Sequence, residues 1–384
     1  MAPKLYQIIY RDLKKHITGG RYKVGDKLPT EFELIEQYSV SRVTAIKALN
    51  MLRDEGLIRR IPKVGSIICR VTERKGISYS GNSKQIALIL PIKTDAYRTI
   101  LMGGDATPRL LSEINSAADE YGYKIKLMDS QLNSEYEREM LKSVLSSDVA
   151  GVICFPADGG YENFSSYAAV RDMNIPIVTI DKWIGDHILD IPCITTDNMN
   201  GARKITEHII ANGHTKIGFC CDSLGNNNQR CRFNGYLQAL MSHKLTYDPE
   251  ILCEVYKDQR PMYLANKQTT EKELREYLER IIHQTKPPTA VVCAFDQLAF
   301  QLVQQAQAME IRVPDQLSVT GFDNLFICEL LEPALTTMEQ NFAEIGRTAF
   351  KTLHAMICGE EVRKMIQLDA KLITRNSVKN LNCT

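Results

Sequence analysis

Apolar residues near the start of the chain recur at a helical interval: Leu5, Ile8, Ile9, Leu13 and Ile17 share one face. Gly19–Gly20 predicts the end of that helix. Thr30 reads as an N-cap, with Glu31 and Glu33 in the first turn of a second helix through FELIEQY. Ser41 reads as the cap of a third helix, running to about Glu55 and closed by Gly56. Ala45, Ala48, Leu49 and Leu52 form its buried face, which leaves Arg42, Thr44 and Lys47 outside. Two strand-like runs, LIRRI and SIICRV, follow with PKVG between them. Three helices and a hairpin in that order predict a winged helix-turn-helix over residues 1–71.

Residues 72–84, TERKGISYSGNSK, lack apolar periodicity and read as a linker. From residue 85 to 384 the pattern changes to apolar strands alternating with amphipathic helices. IALILPI, KIKLMD, VAGVICF and IPIVTI are strand-like, separated by helices through LLSEINSAADEYG and EREMLKSVLSS. The alternation resumes after Asp197 with ARKITEHIIANG, KIGFCC, FNGYLQALMSH, TAVVCAF and LSVTGF. Repeated strand–helix–strand units predict parallel sheets, and a body of this length suits two α/β subdomains with a cleft between them. The chain is therefore multi-domain α/β.

Charge sharpens the division. The whole chain carries a net +1, but residues 1–75 hold 16 Lys/Arg against 8 Asp/Glu, a balance of +8. A basic head on an acidic body predicts a nucleic-acid contact confined to the head, unless the excess is only a solvated lysine-rich surface. The 11 cysteines show no C-x-x-C pair and lie largely in apolar runs, so reduced, buried thiols are expected rather than disulfides or metal. No apolar run approaches the length of a membrane helix, and no signal peptide precedes the first helix. A P-loop, a dinucleotide-binding glycine loop and an H-E-x-x-H motif are all missing, which argues against the corresponding enzymes.

A helix that enters the major groove reads bases with side chains near its N-terminus. Arg42 suits guanine O6 and N7. Ser41 either caps the helix or donates to a phosphate at the helix N-terminus. Thr44 is a second reader, and Lys47, about a turn further on, suits a phosphate. Arg42 and Lys47 could instead be an ordinary solvated face.

The segment LYQIIYRDLKKHITGGRYKVGDKLPTEFELIEQYSVSRVTAIKALNMLRDEGLIRRIPKVGS resembles the winged-helix head of GntR-type repressors, through its K-L-P-T-E turn, V-S-R-x-T and E-G-L-I followed by a basic wing. The resemblance implies DNA contacts at Lys4, Thr30, Glu31, Arg42 and Thr44, and at wing residues Lys63, Gly65 and Ser66. Two positions depart from the pattern. Ile46 stands where an arginine is usual, and the glycine often found before the wing's basic residue is missing near Pro62–Lys63. Ile46 binds neither phosphate nor guanine. It either touches a thymine methyl or packs, so the operator sequence cannot be inferred from relatives.

The body segments TTDNMNGARKITEHIIANGHTKIGF, RCRFNGYLQAL, PPTAVVCAFDQLAFQLVQQAQAMEIRVPDQLSVTGFDN and LEPALTTMEQNFAEIGRTAFKTL resemble the LacI-type effector domain, itself similar to periplasmic sugar-binding proteins. Such a fold implies one subdomain of about 85–192 and 338–365, and a second of about 193–337 and 366–384. Ligands in open α/β sheets sit beyond the carboxyl ends of the strands. Arg232 matches the family arginine that donates to sugar hydroxyls. Asp296 follows AVVCAF, and Asp323 follows SVTGF. Asp181 and Trp183 follow IPIVTI, and Trp183 is the only tryptophan, a ring for a sugar face. Tyr97 and Gln340 join them on the same logic. Each has a plainer role open to it: Asp296 as a helix cap, Asp323 as a turn residue, Arg232 as an internal ion-pair partner, Trp183 as packing. His208 and His214 are expected to be structural. Phe295 replaces an asparagine common in relatives, which removes an amide from the cleft.

A GntR-type head on a LacI-type body resembles the arabinose repressor subgroup. The resemblance implies a cytoplasmic, homodimeric transcription repressor, without cofactor or metal. Double-stranded operator DNA and a monosaccharide, L-arabinose, would be its ligands. The alternatives are a sugar-binding protein with no DNA role, or a regulator of another pentose or hexose pathway.

Overall fold

The structure is a computed structural model that describes residues 5–23, 25–54, 57–61, 65–68, 83–92, 106–157, 162–185, 188–255 and 267–382. Lys4, Lys63, Tyr97 and linker residues 72–82 lie outside the described residues.

The head contains α1 (Leu5–Thr18), α2 (Glu31–Tyr38), α3 (Arg42–Asp54) and a hairpin of β1 (Ile58–Ile61) and β2 (Gly65–Ile68). The hairpin is antiparallel and pairs Ile58 with Ile68 and Ile61 with Gly65. The apolar stripes of the helices meet in part, since Leu5 and Ile8 at the start of α1 are exposed. Ile9, Leu13 and Ile17 of α1 pack with Leu34 of α2, Ala45, Leu49 and Leu52 of α3, and Ile68 of the wing. Thr30 closes a capping box on α2: its hydroxyl accepts from Glu33 N, and the Glu33 carboxylate accepts from Thr30 N.

The body has two parallel sheets. The first is built from β3 (Gln85–Leu90), α4 (Ala106–Glu120), β4 (Lys124–Asp129), α5 (Ser134–Val144), β5 (Gly151–Cys154), α6 (Phe164–Asp172), β6 (Ile177–Ile180) and β7 (Cys193–Thr196). With β13 (Met365–Leu368) the strand order is β13-β7-β6-β5-β3-β4, all parallel. The second lobe contains α7 (Asn198–Ala211), β8 (Ile217–Cys221), α8 (Asn227–Ser242), β9 (Leu252–Glu254), α9 (Lys267–Ile282), β10 (Ala290–Cys293), α10 (Asp296–Ala308), β11 (Ser318–Thr320) and the short α11 (Ile327–Leu330). Its sheet runs β11-β10-β8-β9, again parallel. Strands β5, β7, β8 and β10 are buried at every residue, as parallel strands covered by helices on both faces must be.

Three chain crossings join the lobes. The first follows β7. The second runs from β12 (Thr337–Glu339) into α12 (Phe342–Ile357), which packs on α4 in the first lobe. The third runs from β13 to β14 (Lys371–Ile373), the antiparallel partner of β12. This moves the boundaries expected from sequence. Residues 193–196 pair with β6, and 366–368 pair with β7, so both belong to the first sheet. Residues 338–339 pair with β14, and Glu339 bridges to Asp323, which ties them to the second lobe.

The nine described cysteines are free thiols, and seven of them are buried, which agrees with the composition-based expectation. His214 is structural: its ring nitrogens lie 2.8 Å from Thr289 Oγ1 and 2.9 Å from the Lys379 carbonyl, tying the C-terminal segment to the second lobe. Among the described residues no helix is long and apolar enough to cross a membrane.

Candidate functional site

Two places gather the predicted residues. The first is the exposed start of α3. Ser41 Oγ accepts from Thr44 N at 3.3 Å and lies 2.9 Å from Thr44 Oγ1, so the serine caps the helix and pairs with the second hydroxyl. Arg42 reaches back to α2, where its Nε donates to Glu31 Oε2 at 3.0 Å. The guanidinium is otherwise open to solvent, with Arg42 67% exposed in its side chain. Glu31 thereby holds the arginine side chain against α2. Lys47 Nζ sits 4.3 Å from the Tyr6 ring centroid, a cation–π contact that fixes the ammonium over α1. Ile46 is half-buried, between the reading face and the core.

Thr30 caps α2 with its hydroxyl, as above. In the wing, Gly65 takes φ +111, which a side chain would resist, and opens β2. Ser66 departs from its expected role. It is buried, its carbonyl accepts from Leu28 N, and its neighbour Ile67 packs among first-lobe residues of the body. A serine so enclosed does not face a groove.

The second place is the cleft between the lobes. Gly235 lets α7 and α8 cross closely, since a Cβ there would lie 2.0 Å from the Met199 carbonyl oxygen. That crossing sets Arg232 of α8 beside Asn198 of α7. Arg232 Nε donates to Asn198 Oδ1 at 2.7 Å, and Nη1 donates to the Ala294 carbonyl at 2.6 Å. Nη1 also lies 3.4 Å from Asp323 Oδ1, and the guanidinium stacks 3.8 Å over the Phe322 ring. None of these contacts uses Nη2. The arginine is thus an internal ion-pair partner of Asp323.

Asp323 sits after β11 with φ +124, a backbone strained for a residue with a side chain. Strain of that kind persists where surrounding contacts fix it, and here Asp323 N donates to the Met338 carbonyl at 2.7 Å. Its carboxylate accepts from Gln340 Nε2, and Gln340 Oε1 in turn accepts from Thr196 Oγ1 at the end of β7. Gln340 therefore spans the second crossing and joins the lobes. Burial pushes the Asp323 carboxyl up from the usual carboxylate range, Asp296 adds to the rise, and Arg232 opposes it.

Asp181 ends β6 on the opposite lobe, with φ +69. Burial raises its carboxyl too, opposed by Lys182, Arg232 and a hydrogen bond from Asn228. Asp181, Arg232 and Asp323 are thus close enough to feel one another's charge. Trp183 is half-buried two residues on.

Asp296 is close enough to act on Asp323 and Arg232 by charge, but its own oxygens are bonded elsewhere. It is fully buried, its Oδ1 accepts from Thr337 Oγ1 at 2.5 Å, and its Oδ2 accepts from Leu325 N at 2.9 Å. Gly321 makes room for it, because a Cβ there would lie 2.1 Å from Asp296 Oδ1. Both oxygens are committed to anchoring the turn before α11 and strand β12, so the residue is an internal brace. Phe295, beside it, is partly buried between two core clusters.

Sequence reasoning missed four buried polar residues of the two lobes. Asn228 lies one helical turn before Arg232, hydrogen-bonds Asp181 across the cleft and leaves its buried Oδ1 unpartnered. Asn198 orients Arg232. Lys182 is buried with Nζ 3.1 Å from the Ala157 carbonyl and 3.3 Å from that of Pro156. Asp222, just after β8, is buried and pushed up to about 7 by that burial, opposed by a hydrogen bond from Gln229. The i, i+4 spacing of Asn228 and Arg232 was the available signal for the first. The others depend on which strand ends meet.

Among the described residues no group of His, Cys, Asp and Glu could hold a metal ion. The cleft offers paired carboxylates, amides and one guanidinium beside aromatic rings, a donor–acceptor set suited to a neutral polyhydroxylated ligand.

Residues 5–68 match the gntR family of bacterial regulatory proteins, and residues 206–378 match the periplasmic binding protein-like domain. The arabinose metabolism transcriptional repressor of Geobacillus stearothermophilus is 28% identical over 99% of this chain and 98% of its own. The transcription regulator CcpA of Lactococcus lactis superposes with a TM-score of 0.64 at 21% identity, over 77% of this chain and all of its own. A transcriptional regulator CelR–cellobiose complex does so at 0.66 and 19% identity, over 98% of this chain and all of its own.

Proposed function

From a chain that joins a gntR-family DNA-binding head to a periplasmic-binding-protein-like body, we infer a transcription repressor that a small sugar releases from operator DNA. It is a regulator rather than an enzyme. The observation that carries the reading is the presence on one chain of both sites: an exposed Arg42 at the start of a capped helix in a basic head, and an Arg232–Asp323–Asp181 cluster between two lobes.

L-Arabinose is the effector we propose, supported by full-length similarity to an arabinose repressor at 28% identity. Arg232 would donate to its hydroxyls, Asp181, Asp323 and the Asn228 Oδ1 would accept, and Trp183 would cover an apolar face. Arg42 and Thr44 would read bases, with Ser41, Thr30 and Lys47 near phosphates and Glu31 orienting Arg42. A cytoplasmic homodimer would set two recognition helices on a pseudo-palindrome, about one DNA turn or a multiple apart.

Sugar closes the cleft and operator DNA favours a different relation of the lobes, so the two ligands weaken each other by the same factor, with a coupling free energy of typically about 1–3 kcal/mol. The test is a thermal-shift screen of monosaccharides on the full chain, followed by a gel shift with and without the best one. Arabinose at 100 times its Kd should stabilise the protein by about 2.7 kcal/mol. No stabilisation by any sugar would overturn the sensor reading. Retention of specific DNA binding by Arg42→Ala would overturn the DNA-reading role.

A further inference from the structure

The reading end of the head exposes apolar side chains that its core does not use. Val43 is 75% exposed and Phe32 is 74% exposed. Each follows in sequence a partner of the Arg42–Glu31 ion pair, Val43 on α3 and Phe32 on α2. Ile46, one turn after Val43, is half-buried. The sequence leaves Ile46 either to touch a thymine methyl or to pack, and its neighbour Val43 is the more exposed of the two.

We infer that Val43 and Phe32 are specificity-determining residues that recognise the C5-methyl groups of thymine in the operator half-site. The inference rests on the DNA-binding reading of the head. The occupant is a nucleic acid because the surroundings are chosen for one. The head carries a balance of +8, with 16 Lys/Arg against 8 Asp/Glu over residues 1–75. Two paired hydroxyls, Ser41 and Thr44, and an outward guanidinium flank the exposed valine. An apolar protein partner would have to desolvate that guanidinium and its carboxylate. A DNA groove offers the arginine acceptors and the valine a methyl group in adjacent base pairs.

The major groove presents only one apolar group, the thymine methyl, so an apolar reader selects thymine over every other base. The half-site is therefore expected to place thymine beside the base pair that Arg42 contacts. Arg42 supplies the polar discrimination, and Val43 and Phe32 supply a methyl requirement.

The experiment uses the full chain. Random duplexes are enriched on the wild-type protein, and each enriched thymine is then replaced singly by deoxyuridine, which removes only the methyl. Burial of one methyl corresponds to about a fourfold change in affinity. At one position or more, deoxyuridine should weaken wild-type binding by about that factor and should cost Val43→Ala or Phe32→Ala nothing further. A half-site without thymine, or a deoxyuridine penalty unchanged in both variants, would overturn the inference while leaving specific DNA binding in place. Failure to enrich any sequence would overturn the DNA-binding reading itself. Both substitutions are at exposed positions, and circular dichroism of the variants checks that folding is retained.

Discussion

Gln340 joins Asp323 of the second lobe to Thr196 of the first with one amide, donating to the carboxylate and accepting from the hydroxyl. The bridge lies at a chain crossing, where the lobes must move if the cleft is to open and close. Changing the amide to a carboxylate leaves the shape but sets a second negative charge against Asp323. Gln340→Glu should therefore weaken effector binding by tenfold or more while DNA binding without effector survives. Calorimetry with the effector and a parallel gel shift measure the two; unchanged effector affinity would remove Gln340 from the switch.

Arg232 tests the same cleft differently. Its planar fork satisfies Asn198, the Ala294 carbonyl and Asp323 together, which a point-charge ammonium cannot do. Arg232→Lys should lose effector binding despite keeping the charge. Breaking a buried, hydrogen-bonded charge pair costs about 3–5 kcal/mol when one partner is left alone. Because lysine retains a charge near Asp323, the stability loss should be smaller than that of Arg232→Ala. Denaturant titration of the two variants ranks them, and equal losses would mean that charge contributes nothing here.

Much of this was legible in the sequence, and the exceptions share a cause. The helical stripe of α1 and the cap at Ser41 are local patterns, so the head could be read directly. Arg232 and Asp323 carry family motifs. Asp296 and Asp323 both follow strands, and nothing in their neighbours distinguishes a brace from a cleft acid. The difference is made by Thr337 and Leu325, which bond Asp296 from 41 and 29 residues away. The lobe boundary was misplaced for a similar reason. Cys193–Thr196 is a short buried strand with two threonines that fits either sheet, and its partner Met365–Leu368 lies near the other end of the chain.

Asp222 gives the body a pH dependence of predictable sign. Burial pushes its folded pKa up to about 7, well above the ordinary range of an aspartate carboxyl. The folded state therefore binds a proton more tightly than the unfolded state, and stability falls as pH rises from about 4 towards 7, then levels. Each unit of difference is worth about 1.4 kcal/mol, so between pH 5 and pH 8 this carboxyl alone should cost up to about 3 kcal/mol. Asp222→Asn removes the titrating group. The variant should match wild type near pH 5 and exceed it near pH 8 in chemical denaturation. Parallel stability curves across that range would show that Asp222 is ionised in the folded protein throughout.

Glu31 makes the last separation, between holding and contacting. Its pair with Arg42 is largely solvent-facing on the arginine side, so it should add at most about 1 kcal/mol to stability. The role we propose for it is to aim the guanidinium. Glu31→Gln should leave the melting temperature nearly unchanged and should tighten binding to random duplex, because a negative charge leaves a surface that faces phosphates. Binding to the enriched operator should weaken, since Arg42 must then be ordered by the DNA itself. The ratio of specific to random affinity, measured at matched salt, should fall about tenfold. A variant that lost affinity equally for both duplexes would place Glu31 in direct contact with DNA and not behind the arginine.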